Sequence, residues 1–108
     1  MSLAQETEST ATAQSKTELV ASKESGNYLF VLPAGKTAEE INKNAKYYVH
    51  YFTVDFNEKT SEAKIKMISN DEKSRHVVIR FLTASGVQHV VVDGKSMLTE
   101  DFFNSYMK

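Results

Sequence analysis

The stretch that decides the fold runs from Ser69 to Gly86 and reads SNDEKSRHVVIRFLTASG. Its apolar residues fit two templates, because they recur at helix spacing and also alternate as in a strand. The helix face would consist of Val77, Val78, Phe81 and Leu82. The ends favour a helix over residues 70–85, since Ser69 and Glu72 match a capping box and Gly86 suits a left-handed C-cap. The alternative, a strand over Arg75–Thr83, would give an all-β meander.

A strand and a helix are predicted on the N-terminal side of this stretch. Tyr28–Leu32 is an apolar run closed by Pro33, which is typical of a buried strand. Thr37 and Glu40 then match a capping box, and a helix face follows. This face consists of Ala38, Ile41, Ala45 and Tyr48.

A hairpin lies between the two predicted helices. From Val49 the apolar residues alternate, Asn57–Thr60 forms a polar turn, and the alternation resumes over Ser61–Ile68. One face of this hairpin is therefore predicted to be buried. Beyond Gly86 a further strand is predicted over Val87–Val92.

The order β-α-β-β-α-β predicts an α+β domain of the ferredoxin-like kind, with a four-stranded antiparallel sheet and both helices on one side. Asp93-Gly94 forms a turn, and Thr99 is predicted to cap an extra C-terminal helix. This helix carries Phe102, Phe103 and Tyr106, so it could cover the open sheet face or supply a partner surface.

Composition limits the class of protein. The chain has 108 residues, a formal charge of -1 and no cysteine. One small domain is therefore expected, without disulfides or thiolate sites and without the basic excess that favours nucleic acid. No apolar run is long enough to span a bilayer.

Residues 1–26 are predicted to be a flexible leader and residues 27–108 a single α+β domain. The leader is rich in Ser, Thr, Ala, Gln and Glu and has no aromatic residue. Ala4-Gln5 would suit a chain trimmed just after signal-peptide cleavage, which indicates a periplasmic or secreted protein. An ordinary disordered cytoplasmic N-terminus is the alternative.

The Gly35-Lys36-Thr37 sequence resembles a phosphate-binding loop, but a Walker loop needs glycine at the position of Phe30. A better match covers roughly Tyr28 to Val92. There the chain resembles the heavy-metal-associated domain family, whose members have a ferredoxin-like fold and carry soft metal ions on a Gly-Met-Thr-Cys-x-x-Cys loop. Gly35 and Thr37 match that loop, and the hairpin containing Val54-Asp55 is similar to the family's second hairpin.

The resemblance implies the fold and does not imply the family's metal chemistry. Ala38 and Ile41 occupy the two cysteine positions, and Lys36 the methionine position. Soft ions such as Cu(I) select thiolate and thioether ligands, which this loop lacks. No metal or other cofactor is therefore predicted.

Other chemistry has little support in the sequence. The acidic pairs start predicted helices, where the helix dipole accounts for them, so no enzyme is predicted. RNA binding is disfavoured because the third strand lacks aromatic residues. A metal-handling domain with His and Met ligands in an exported protein is the alternative function. Its ligands would come from His50, His76, His89, Met67, Met97 and Met107.

The sequence therefore predicts a non-enzymatic binding or interaction module. Its partner would be another protein or a second copy in a homodimer, with no nucleic acid and no membrane span. Exposed aromatic residues and lysines on the outer sheet face and the terminal helix would form the interaction surface. The predicted surface residues are Tyr51, Lys64, Lys66, Phe102, Phe103 and Tyr106.

Overall fold

Residues 9–108 are described by a computed structural model, which is an α+β structure with one mixed sheet in that part of the chain. Its strands are β1 (Thr10–Thr12), β2 (Asn27–Val31), β3 (Phe52–Asn57), β4 (Glu62–Met67), β5 (His89–Val92) and β6 (Lys95–Leu98). Its helices are α1 (Lys16–Ser25), α2 (Ala38–Ala45), α3 (Glu72–Ala84) and α4 (Thr99–Phe102). A single 3₁₀ turn, Lys46–Tyr48, follows α2, and a wider π-helical turn, Phe103–Met107, continues α4.

The sheet differs from the predicted four-stranded antiparallel ferredoxin-like sheet. Its strand order is β3-β4-β2-β1-β5-β6, and β1 runs parallel to β5 while the other neighbours are antiparallel. The predicted order of elements between β2 and β5 is present. However, β1 lies between β2 and β5, so those two strands never pair. The four-stranded prediction is therefore wrong, although the α+β class is confirmed.

The predicted helix over residues 70–85 is confirmed as α3, and the all-β alternative is wrong. The helix begins at Glu72, and Asp71 rather than Ser69 is its N-cap, accepting a 2.7 Å hydrogen bond from the Ser74 N–H. Hydrogen bonds from the backbone and the side chain of Ser74 lower the pKa of the Asp71 carboxyl, since they stabilise its charged form.

At the other end α3 stops as predicted at Gly86, which has a φ of 89°. The Val87 N–H donates to the Leu82 carbonyl and the Gly86 N–H to the Thr83 carbonyl. This is a Schellman motif, which needs a left-handed residue that glycine supplies at least cost.

Part of the predicted flexible leader is ordered, and this prediction is corrected for residues 9–26. Ala11 and Leu19 are completely buried, the first in β1 and the second in α1. Ser15 and Glu18 form a complete capping box at the start of α1, and Gly26 ends the helix with a φ of 81°. Residues 1–8, including the predicted cleavage position at Ala4-Gln5, lie outside the described residues.

Strand β6 is a third element that was not predicted from the sequence, after β1 and α1. Asp93 and Gly94 both have positive φ, at 50° and 82°, as a two-residue type I′ hairpin turn requires. Asp93 also accepts a 3.1 Å hydrogen bond from the Lys16 N–H at the start of α1. The turn therefore joins β5 to β6 and supplies a partner for an otherwise unpaired helix donor.

The core lies between one face of the sheet and a layer of helices. Helix α1 contacts the turn Phe103–Met107, that turn contacts α3, and α3 contacts α2. Phe102 and Phe103 are 0% and 4% exposed within this layer, and the Phe102 ring meets Phe30 edge to face at 5.8 Å. The C-terminal helix therefore completes the helix layer. It begins at Thr99 itself, with no side-chain cap, so the prediction that Thr99 caps it is wrong.

Candidate functional site

The sheet face opposite the helices is called here the open face. No part of residues 9–108 covers it. Because strand side chains alternate, the buried Ala11, Phe30 and Val90 point to the helices and their strand neighbours point away. In register, Thr12 lies between Val91 of β5 and Val31 of β2. The centre of the open face is therefore an apolar band.

The half of the open face towards β3 is charged. Lys64 and Lys66 are both exposed, and they lie two residues apart on β4. Lys64 is in register with Leu29 and with Asp55, and Lys66 is in register with Thr53. No ion pair joins Asp55 to either lysine in the described residues, so the ammonium groups are free to contact a ligand.

Gln14 closes one end of this charged region. Its Oε1 atom accepts hydrogen bonds from the Leu29 N–H at 3.2 Å and the Ser22 hydroxyl at 3.0 Å. The side chain therefore provides an acceptor to β2 just beyond the end of the short strand β1. A groove of about 420 Å³ results. It is lined by Gln14, Asn27, Tyr28, Leu29, Thr53, Asp55, Lys64, Ile65 and Lys66.

The structure separates the six predicted surface residues. Lys64 and Lys66 lie on the open face, and Tyr51 lies at its end, where its carbonyl accepts a 2.9 Å hydrogen bond from the Ile68 N–H. Phe102 and Phe103 are buried and offer no surface, which corrects that part of the prediction. Tyr106 is half-buried, 5.7 Å from the Phe102 ring between centroids.

A second cleft, of about 470 Å³, lies where α1 meets the C-terminal turn and contains the buried Arg75. The Arg75 Nε donates to the Met107 carbonyl at 2.6 Å, and Nη2 donates to the Lys108 carbonyl at 3.3 Å. Nη1 donates to both the carbonyl and the side-chain oxygen of Asn70 at 3.0 Å. These bonds occupy the guanidinium, so its role here is to fix the C-terminal turn to α3.

The histidines and methionines of the alternative metal site lie in different parts of the fold. His76 bonds Glu100 at 3.0 Å and stacks on Phe103 with 4.2 Å between ring centroids. His89 belongs to the open face, while Met67 faces the core. Among the described residues, no group of three or more His, Cys, Asp or Glu side chains is placed to hold a metal ion.

The loop that carries the family resemblance is a helix start. Gly35 has a φ of 91°, and the Thr37 hydroxyl accepts a 3.1 Å hydrogen bond from the Glu40 N–H. Ile41 is completely buried, so this position contributes to the core. Lys36 lies 3.9 Å from Glu40.

No family model, curated protein or solved structure matches this chain. The relationship to the heavy-metal-associated domain family therefore stays a prediction. Within residues 9–108, no helix has the length and apolar content needed to cross a bilayer.

Sequence reasoning placed the lysines on the outer face but missed the N-terminal contribution to the site. Gln14 and Thr12 fall in the segment that was assigned to the leader. A signal was present, because Ser15-Lys-Thr-Glu18 directly before Leu19 matches the capping-box pattern. It would have shown that structure begins well before Tyr28.

Proposed function

We propose that this chain is a non-enzymatic binding module that holds a segment of another protein on its open face. One observation carries the proposal: all four described helices and the terminal turn build one layer, and the opposite sheet face has no cover in residues 9–108. That face includes the parallel pair of β1 and β5, and parallel strands are usually covered on both faces. A partner would supply the missing cover.

The side chains of the groove indicate the chemistry of the partner. Lys64 and Lys66 place two positive charges about 7 Å apart along β4, against the single negative charge of Asp55. Leu29 is half-buried at the same level of the sheet, and Val31 is exposed beyond it. A segment that combines carboxylates with apolar side chains would complement this arrangement.

A peptide-display library of extended segments tests this proposal with the wild-type chain as bait. Selected peptides are expected to be rich in Asp, Glu and apolar residues. For a synthetic selected peptide, the variant Lys64→Glu/Lys66→Glu should raise Kd by about tenfold or more, since it reverses both charges. Lys59→Glu, in the exposed β3–β4 turn, is the matched control and should leave Kd unchanged.

Two results would contradict the proposal. One is a selection that yields no peptide binding more tightly than about 1 mM. The other is a peptide whose affinity responds equally to Lys59→Glu and to the double variant. Circular dichroism of both variants checks that the fold is intact.

Export of the protein stays a prediction, because the cleavage position lies outside the described residues. The metal-handling alternative also stays a prediction, and within residues 9–108 no group of three or more His, Cys, Asp or Glu side chains supports it.

A further inference from the structure

Gln14 presents two unpaired N–H donors to the groove on the open face. Its Oε1 atom faces the Leu29 N–H at 3.2 Å, and that backbone group can only donate. The orientation of the side-chain amide is therefore fixed, because a rotated amide would place its NH2 group against the Leu29 N–H. The Nε2 atom has no hydrogen-bond partner among residues 9–108 and is not buried, and Gln14 lines the groove. Its two N–H groups are thus available to a ligand there.

The Gln14 side chain is held in place before any ligand binds. The hydroxyl of the buried Ser22 in α1 donates to the same Oε1 atom at 3.0 Å, so the amide joins α1 to β2. A side chain that is already fixed loses little conformational entropy when it contacts a ligand. Gln14 is therefore a preorganised donor as well as a structural link.

Gln14 and Lys64 flank Leu29 on the open face. Thr12 is in register with Val31, which places Gln14, two residues further along, beside Leu29. Lys64 is in register with Leu29 on its other side. Neighbouring strands are about 4.8 Å apart, so the Cα atoms of Gln14 and Lys64 lie about 10 Å from each other. Both side chains are long enough to reach one small group placed between them.

The charges of the groove match a single carboxylate. Lys64 and Lys66 against Asp55 leave one net positive charge among the groove residues. One carboxylate neutralises this charge, whereas a phosphate dianion would leave an excess negative charge. A carboxylate also has two oxygens and so accepts from two separate donors at once.

We propose that the groove binds one Asp or Glu side chain of the partner, with one carboxylate oxygen accepting from the Gln14 Nε2 and the other from the Lys64 Nζ. Leu29 lies beneath and contacts the apolar part of that side chain. Gln14 determines the specificity for a carboxylate, because a carboxamide in the same place would turn its NH2 group towards one of the two donors. This inference rests on the proposed function, since it names the group that the open face recognises.

Gln14→Glu tests the proposal because it changes only the end of the side chain that faces the groove. One Glu oxygen keeps the hydrogen bonds from Leu29 and Ser22, while the other replaces the NH2 group and adds a negative charge. For a peptide from the display selection, Kd should rise by about tenfold or more. Gln88→Glu makes the same change at an exposed residue outside the groove, so it is the matched control and should leave Kd unchanged. Circular dichroism checks the fold of both variants.

Substitutions in the peptide identify the bound carboxylate without altering the protein. Each Asp or Glu of the peptide is replaced in turn by Asn or Gln. One of these changes should weaken binding to the wild type by about tenfold. The same peptide should bind Gln14→Glu several-fold more tightly than it binds the wild type, because its NH2 group can donate to the new carboxylate.

Solution NMR provides a readout that does not depend on a selected peptide. The side-chain NH2 resonances of Gln14 are assigned by their absence from the spectrum of Gln14→Glu. In the wild type they should shift on titration with sodium acetate, the simplest carboxylate probe. Sodium chloride at the same ionic strength should leave them unchanged.

The outcomes separate this inference from the proposed function. Peptides that bind, but whose Kd changes equally in Gln14→Glu and Gln88→Glu, would overturn the inference and leave the proposed function standing. A selection without any peptide would contradict the proposed function, and the acetate titration would then decide. Gln14 resonances that respond equally to acetate and chloride would overturn the inference, whereas a response to acetate alone would support it.

Discussion

Replacement of Tyr28 by phenylalanine should stabilise the protein. Tyr28 is 2% exposed, and its hydroxyl has no hydrogen-bond partner among residues 9–108. A buried polar group without a partner costs roughly 1–3 kcal/mol in desolvation. Phenylalanine keeps the ring, including its stacking on Phe30 at 6.3 Å between centroids. Tyr28→Phe should therefore raise the free energy of unfolding by about 1 kcal/mol at neutral pH, the low end of that range.

The same residue predicts a pH dependence. Burial raises the pKa of the Tyr28 hydroxyl from 10.0 to about 12, and the positive charge of Arg75 opposes this only in part. A raised pKa means that the folded state resists ionisation, so stability is lost as pH rises from the unfolded pKa towards the folded one. At about 1.4 kcal/mol for each pKa unit, the full loss approaches roughly 3 kcal/mol, of which about half is present at pH 11.

Urea denaturation of the wild type and Tyr28→Phe at several values between about pH 7 and pH 11 measures both effects. All other residues are the same in the two proteins, so the difference between their free energies of unfolding isolates the contribution of Tyr28. This difference should grow with pH. Tyr47→Phe changes an exposed ring and is the control. The reasoning is refuted if Tyr28→Phe destabilises the protein at neutral pH, or if the difference does not change with pH.

Three further predictions concern the ends of α3 and its link to the C-terminal turn. Asp71→Ala removes the N-cap hydrogen bond to Ser74 and should lower the thermal unfolding midpoint. Because the pKa of Asp71 is lowered in the folded state, the difference in midpoint from wild type should shrink as pH falls through that pKa. A difference that does not change with pH would contradict this. Gly86→Ala places a Cβ 2.8 Å from the Lys36 Nζ, at a residue whose φ is 89°. The free energy of unfolding measured in urea should fall by roughly 1–2 kcal/mol. An unchanged urea midpoint would show that the substitution causes no strain. Arg75→Lys keeps the positive charge and loses the planar guanidinium group with its several hydrogen bonds. The free energy of unfolding should fall by about 2 kcal/mol or more in the same assay. Wild-type stability in this variant would show that the hydrogen bonds to the C-terminal turn are dispensable.

Local end signals predicted α3 where apolar spacing could not. The apolar residues between Arg75 and Thr83 fit both the helical spacing and the strand alternation. They do so because α3 lies in the middle of the helix layer, where more than one of its sides is buried. A capping-box pattern and a glycine C-cap, in contrast, are specific to helix ends, and they located α3 although its N-cap is Asp71 and not the predicted Ser69. The charged outer face of β4 was also predictable, since Lys64 and Lys66 alternate with the buried Ala63 and Ile65.

The N-terminal strand and helix were not predicted because they bury very little. β1 has three residues, of which only Ala11 is buried, and α1 buries only Leu19 and Ser22. Composition alone therefore suggested disorder. The place of β1 in the sheet depends on pairing with β5 near the other end of the chain, which no local pattern encodes. The position of the C-terminal helix depends in the same way on the space beside α1 and α3.

The insertion of β1 between β2 and β5 has a consequence for the order of assembly. Strands β2, β3 and β4 pair with one another within residues 27–67. Strands β5 and β6 form a hairpin that closes through a two-residue turn. These two halves do not pair with each other directly, because β1 lies between them, and β1 pairs with a strand 79 residues further along the chain, since Thr10 is in register with His89 (89 − 10 = 79). Contacts between such distant segments slow folding. We therefore expect the slowest protection of amides during refolding at β1 and along the adjoining side of β5.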